Sequence, residues 1–242
     1  MRQTILIASS MLLSLATVTQ GFAQEKEKDW DKDRPKIVGS GNVVTKDVAV
    51  QPFDELEASG VFNVLLTQGS KEAVKIEAED NLQSLFEVRN EGKKLVVAMK
   101  KDSHFDSKKK MTVYVTFRNL KTMDLKMVGN LTSEGNLNFD NLSLENKSVG
   151  SVDLKLAAQK LDIKNKSVGS LKLSGKADNA VIKSNSVGSI KASDLIVQSM
   201  DIDNDGIGGA EVNATKEIKV KESFLGKVRN VGAATIKKKV VI

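Results

Sequence analysis

The chain has 242 residues, 37 Lys+Arg against 31 Asp+Glu, a formal charge of +6, and only 4% aromatic residues. A charge this mild and interleaved, with one Trp and one Tyr for base stacking, excludes a nucleic-acid-binding surface. The absence of cysteine excludes a disulfide scaffold and a lipoprotein anchor.

Residues 1–23 read as a secretory signal. Arg2 supplies the positive start, residues 5–18 the apolar run, and Gly21-Phe22-Ala23 the small-x-small site before Gln24. A membrane anchor is the alternative reading, but the run falls short of the ~20 residues that a spanning helix needs, and no second such stretch follows. The remaining 219 residues are expected to be exported to the periplasm, the cell surface or the medium as a soluble protein. They suffice for one elongated domain or two small ones. Residues 24–36 (QEKEKDWDKDRPK) are charged, lack apolar periodicity and predict a flexible leader.

Residues 37–118 form an N-terminal β region. Gly60-Val61-Phe62-Asn63-Val64-Leu65-Leu66, Ala73-Val74-Lys75-Ile76-Glu77, Lys94-Leu95-Val96-Val97-Ala98 and Met111-Thr112-Val113-Tyr114-Val115-Thr116-Phe117 are short, mostly alternating and rich in β-branched residues. They predict strands. Residues 81–86 alone offer a turn of helix, and no long 3.6-residue stripe occurs.

Residues 119–242 carry a repeat: Met127-Val128-Gly129-Asn130, Ser148-Val149-Gly150-Ser151, Ser167-Val168-Gly169-Ser170 and Ser186-Val187-Gly188-Ser189, then degenerate Ile207-Gly208-Gly209 and Leu225-Gly226-Lys227. The glycines stand 21, 19, 19, 20 and 18 residues apart. A period near twenty predicts an all-β solenoid with coils of about 18–21 residues, each burying its apolar side on its neighbours. Aligned on glycine, Leu142, Leu161, Ala180, Met200 and Ile218 form one inward column, and Leu144, Ile163, Ile182, Ile202 and Val220 the next. Lys164, Lys183, Asp203 and Lys221 between them point to water, while Val152, Leu171 and Ile190 begin another inward row. Asn146, Asn165, Ser184 and Asn204 align as an internal polar ladder. Glycine at a fixed coil position implies positive φ or close approach between coils.

Phe53-Asp54-Glu55-Leu56, Ser59-Gly60-Val61-Phe62-Asn63-Val64 with Gln68-Gly69, Ile76-Glu77-Ala78-Glu79-Asp80-Asn81-Leu82 and Gly92-Lys93-Lys94-Leu95 resemble the opening of the head-GIN domain. This family of unknown biochemical function is named for autotransporter adhesins, is common in Bacteroidetes and is generally exported. The resemblance runs from about Ile37 to Gly232 and implies a right-handed parallel β-helix-like fold. The family's Ser-Gly-Ser-Gly-Asp-type turns are replaced here by Ser-Val-Gly-Ser in three coils and Gly-Ile-Gly-Gly in one, which keeps the glycine and removes most of the acidic residue.

Candidate sites are few. His104, the one histidine, lies with Ser103 and Asp106 in the lysine-rich segment 100–110, read as a solvated hairpin loop too loose to hold a triad. Asp201, Asp203 and Asp205 with Gly206 match the first half of a calcium loop, but Val212 stands where the bidentate Glu belongs. A solvated acidic turn is the favoured reading there, calcium the alternative, and no other cofactor is expected. Lys126, Lys147 and Lys166 stack before the glycine, and Lys172 and Lys191 after it. These basic rows could form an anionic-ligand surface or serve solubility alone.

The sequence therefore predicts a non-enzymatic exported β-solenoid that binds envelope glycan or protein in an adhesin-like way. A periplasmic structural or stress-related scaffold without a dedicated ligand is the alternative, and a polysaccharide-active enzyme the least favoured. The lysine-guarded segment 234–242 either closes the stack or pairs with a second copy, leaving a homo-oligomer through the solenoid ends open.

Overall fold

Alternation of inward apolar and outward polar side chains sets the long strands of the repeats. The computed structural model describes residues 36–239, so the expected signal and nearly all of the leader lie outside the described residues. In chain order the first strands are β1 (Ile37–Val38), β2 (Val43–Val48), β3 (Glu55–Val61), β4 (Asn63–Gln68) and β5 (Ala73–Glu79). A 3-10 turn, Asp80–Leu85, buries Leu82 and Leu85 and leads into β6 (Phe86–Glu91), β7 (Lys94–Met99), β8 (Phe105–Asp106) and β9 (Thr112–Phe117).

The repeats supply β10 (Thr122–Val128), β11 (Leu131–Glu134), β12 (Leu137–Asn146), β13 (Val152–Asn165), β14 (Leu171–Ser184), β15 (Ile190–Asn204) and β16 (Ala210–Glu222). Short β17 (Val228–Asn230) and β18 (Ile236–Lys238) follow. Successive coils pair in parallel, making a β-solenoid of about six turns. Leu142, Leu161, Ala180, Met200 and Ile218 stack in register, as do Leu144, Ile163, Ile182, Ile202 and Val220. All ten are buried. Each large aliphatic side chain so buried contributes about 1.5–3 kcal/mol.

Within a coil the alternation breaks twice. In β13, Val152, Leu154, Leu156 and Ala158 face inward, Gln159 and Lys160 are both exposed, and Leu161, Ile163 and Asn165 face inward again. The second break is the glycine corner at Gly169.

The N-terminal strands continue the same stack: β3 pairs in parallel with β10, and β4 with β11. The apolar run at 60–66, predicted as one strand, is divided between β3 and β4. Gly60 at φ +134° turns the chain there and Phe62 is buried at the corner. Strands β7 and β9 add a further parallel layer on β3 and β4. Antiparallel strands then close this end: β6 on β7, β5 on β9, and β2 on β5. Segment 100–110 is accordingly not a hairpin loop, because β7 and β9, which it joins, pair with different strands. At the other end β17 and β18 pair in parallel with β16.

Glu79, 0% exposed, ties the capped end together. It accepts hydrogen bonds from the Gly41 amide (2.7 Å), the Ser107 hydroxyl (2.7 Å) and the Lys108 amide (2.9 Å). Burial pushes its carboxyl up, but these donors outweigh burial and hold it below the ordinary range.

Candidate binding face

The most distinctive surface arises from the glycine corner. Because Ser148, Ser167 and Ser186 face inward, the residue after each must face outward. Val128, Val149, Val168, Val187 and Ile207 are joined rung to rung by parallel bridges and are each between 50% and 55% exposed. Val61 adds a rung through its register with Val128. Leu225, whose carbonyl accepts the Gly208 amide at 3.1 Å, adds one at the far end, beside Phe224, which is 86% exposed. At the ~4.8 Å strand spacing, Val61 to Leu225 spans roughly 29 Å.

Two features hold this ridge straight. Gly150, Gly169 and Gly188 adopt φ near +140°, and a Cβ at any of them would lie 2.1–2.2 Å from the carbonyl oxygen of the glycine one coil back. Only glycine lets the coils turn there at full stacking density. Beneath the ridge runs the buried polar ladder: Asn146 Nδ2 donates to Asn165 Oδ1 at 2.9 Å, and Ser167 Oγ donates to the same oxygen at 2.8 Å. Asn204 Nδ2 donates to the carbonyls of Gly208 (3.0 Å) and Gly226 (2.9 Å). Stacked polar groups satisfy one another, so the corner is buried without orphaned donors along this column.

Lys126, Lys147 and Lys166 stand outward, two residues before successive ridge rungs. Two of the three are committed: Lys126 lies 2.6 Å from Asp124, and Lys147 2.7 Å from Glu145. The hydrogen bond that Lys126 donates to Asp124 raises its ammonium pKa, and the one that Lys147 donates to Glu145 lowers that carboxyl. Lys166 forms no ion pair among the described residues, nor do Lys164 and Lys183, in register with each other on the neighbouring row. Lys164 and Lys166 both act electrostatically on Glu145, which is in register with Lys164, so this row is a mixed-charge surface rather than a continuous basic stripe. Lys172 and Lys191, paired in register, lie across the glycine corner. Lys172 binds Asp153 at 3.1 Å, and Lys191 has no ion pair among the described residues.

Asp201 and Asp203 meet on the outward side of β15, where both are bound by the Lys239 ammonium. Asp205 turns to Lys221 at 3.1 Å. Among the described residues no group of three or more His, Cys, Asp or Glu could hold a metal ion. Ser103 donates to the Lys100 carbonyl at 2.7 Å, and Asp106 pairs with Lys36 at 3.1 Å.

In the Ser-Val-Gly-Ser repeat the glycine marks the coil, and the valine, absent from the candidate sites above, marks the ridge. The signal was present: once the preceding serine is assigned to the interior, period-two alternation exposes the valine.

A family model described as "Putative auto-transporter adhesin, head GIN domain" matches residues 52–234. A solved structure described as a putative adhesin from Bacteroides fragilis is 31% identical, covering 84% of this chain and all of that one, with a TM-score of 0.72. Two further structures share the fold. One is described as a putative lipid binding protein from Parabacteroides distasonis (18% identity, 85% of this chain, all of that one, TM-score 0.61). The other is described as a putative adhesin from the same organism (21%, 85%, all of that one, 0.55). No curated protein matches the chain. No helix among the described residues is long and apolar enough to cross a membrane.

Proposed function

Since the chain belongs to the head GIN domain family, we propose that it is an exported, non-enzymatic, adhesin-like protein that holds an anionic envelope glycan along its aliphatic ridge. The observation that carries this reading is the unbroken line from Val61 to Leu225, ending at Phe224. Seven aliphatic side chains exposed in a row make a patch on the order of several hundred Å², the scale at which an exposed apolar surface marks an interaction site. Ridge side chains meet the C–H faces of sugar rings, and the Phe224 ring provides a stacking surface at one end. Lys164, Lys166 and Lys183 supply charge complementarity to acidic groups on the polymer. A rigid ladder of this kind suits a linear partner, because its contacts repeat along one axis without a closing movement.

Co-sedimentation with acidic polysaccharide beads, neutral dextran beads and anionic phospholipid vesicles tests the proposal. Retention on the acidic polymer, weakened by salt, is expected. It should fall by about tenfold or more in Val168→Asp/Val187→Asp, and likewise in Lys166→Glu/Lys183→Glu. The polymer should keep its length. Retention on vesicles alone, retention indifferent to both variants, or shortening of the polymer would sink the reading.

A further inference from the structure

The repeat surface is broken in one place. Ser151, Ser170 and Ser189 follow the ridge glycine in three coils, and Gly209 takes the serine's place in the next. There β15 also carries extra residues: its register slips against β14 between Lys172 and Ser174, and against β16 between Ala192 and Ile196. The missing hydroxymethyl group and the bulge together open a cleft of about 640 Å³, within the range of small-molecule sites. Ile190, Ala210 and Val228 form its floor, and Ser189, Ser193 and Asp194 part of its wall.

Its charges are unequally committed. Lys172 is held by Asp153 at 3.1 Å, Lys227 by Glu222 at 3.5 Å, and Arg229 by Glu211 at 3.2 Å. Lys191 and Asp194, also lining the cleft, have no ion pair or side-chain hydrogen bond among the described residues. One uncommitted cation, one uncommitted carboxylate and nearby serine hydroxyls over an apolar floor do not suit a bare phosphate, which has no apolar face to set on that floor. They do suit a ring that carries both a carboxylate and hydroxyl groups.

We propose that this cleft is a subsite for an acidic sugar residue, whose carboxylate accepts hydrogen bonds from Lys191 and whose ring hydroxyl donates to Asp194. The proposal rests on the glycan reading above and names the sugar class that this reading leaves open. Position 209 makes it testable without damaging the fold. Gly209 does not have positive φ, and an added Cβ would meet nothing closer than the Lys227 carbonyl at 3.6 Å. Gly209→Ser therefore restores the serine of the preceding coils and places a side chain in the cleft wall.

Calorimetric titration of the purified chain with uronate- and sialate-bearing oligosaccharides, their neutral counterparts, and inorganic phosphate decides the matter. Acidic oligosaccharides should bind, with affinity lowered about tenfold or more by Lys191→Gln and by Gly209→Ser at unchanged melting temperature. Neutral sugars should not bind. Binding by none of the acidic sugars, binding that both variants leave intact, or competition by phosphate at equal strength overturns the subsite. The ridge variant Val168→Asp/Val187→Asp separates the two ideas. Loss of polymer retention there, with oligosaccharide binding indifferent to position 209, leaves the glycan reading standing and removes this one. Cleft-dependent oligosaccharide binding with polymer retention indifferent to the ridge does the reverse.

Discussion

Gly169→Ala puts the stacking of the corner directly to the test. The new Cβ would sit 2.1 Å from the Gly150 carbonyl oxygen, and the backbone φ of +140° is one that an L side chain rarely adopts. Relief requires moving one coil against the next by about 1 Å, since real contacts of this kind begin near 3 Å. That movement strains the bonds Gly150 N to Val168 O (2.8 Å), Val168 N to Ser148 O (3.0 Å) and Gly169 N to Val187 O (2.9 Å). Backbone strain costs about 1–3 kcal/mol, and overpacking a fixed neighbour about as much again, giving roughly 2–6 kcal/mol. For a domain of this size the melting temperature should drop by roughly 5–20 °C, read by circular dichroism on heating and by urea titration. Gly209→Ala is the control, with ordinary φ and its nearest atom 3.6 Å away, and should stay within about 0.5 kcal/mol of the parent. Equal stability of the two variants would refute the reasoning.

Asn165→Ala removes the acceptor of both Asn146 Nδ2 and Ser167 Oγ inside the stack, so urea denaturation should show a loss of about 2–4 kcal/mol. Because the Glu79 carboxyl is held below its ordinary value of 4.5, the stability it contributes is present above that pH and is lost as pH falls through the lowered folded value. Glu79→Gln should therefore be less stable than the parent at neutral pH, and the gap between their urea midpoints should narrow as pH falls below 4.5. A constant gap would refute this. Val168→Asp, on the exposed ridge, should change stability by no more than about 0.5 kcal/mol, which a thermal melt would check before any binding comparison. Lys239→Ala leaves Asp201 and Asp203 facing each other without their shared ammonium and should lower the melting temperature, more at low salt than at high.

The repeat half of the molecule was legible because its rules are local. A glycine every 18 to 21 residues fixes the phase, and alternation then says which side chains face inward. Leu161, Ile182 and Ile202 were assigned to the core, and are 0% exposed. Lys126 and Lys147 could be placed in a row, but not paired. Their commitment to Asp124 and Glu145 depends on which way long side chains lean across a face. The valine ridge was within reach of the same alternation, whereas the cleft was not, because its opening depends on a register slip between separate strands.

The sequence by itself determined that the chain is an all-β solenoid, where its coils turn and which columns fill its interior. These follow from period and chirality, which are properties of neighbouring residues. Only the tertiary structure decided how the first half joins the stack, since Leu56 pairs with both Leu95 and Met123, and the antiparallel strands that close that end have no periodic mark. Such pairings are chosen by competition among distant strand edges, each of which must satisfy its backbone groups. That choice belongs to the assembled sheet and cannot be read from any single segment.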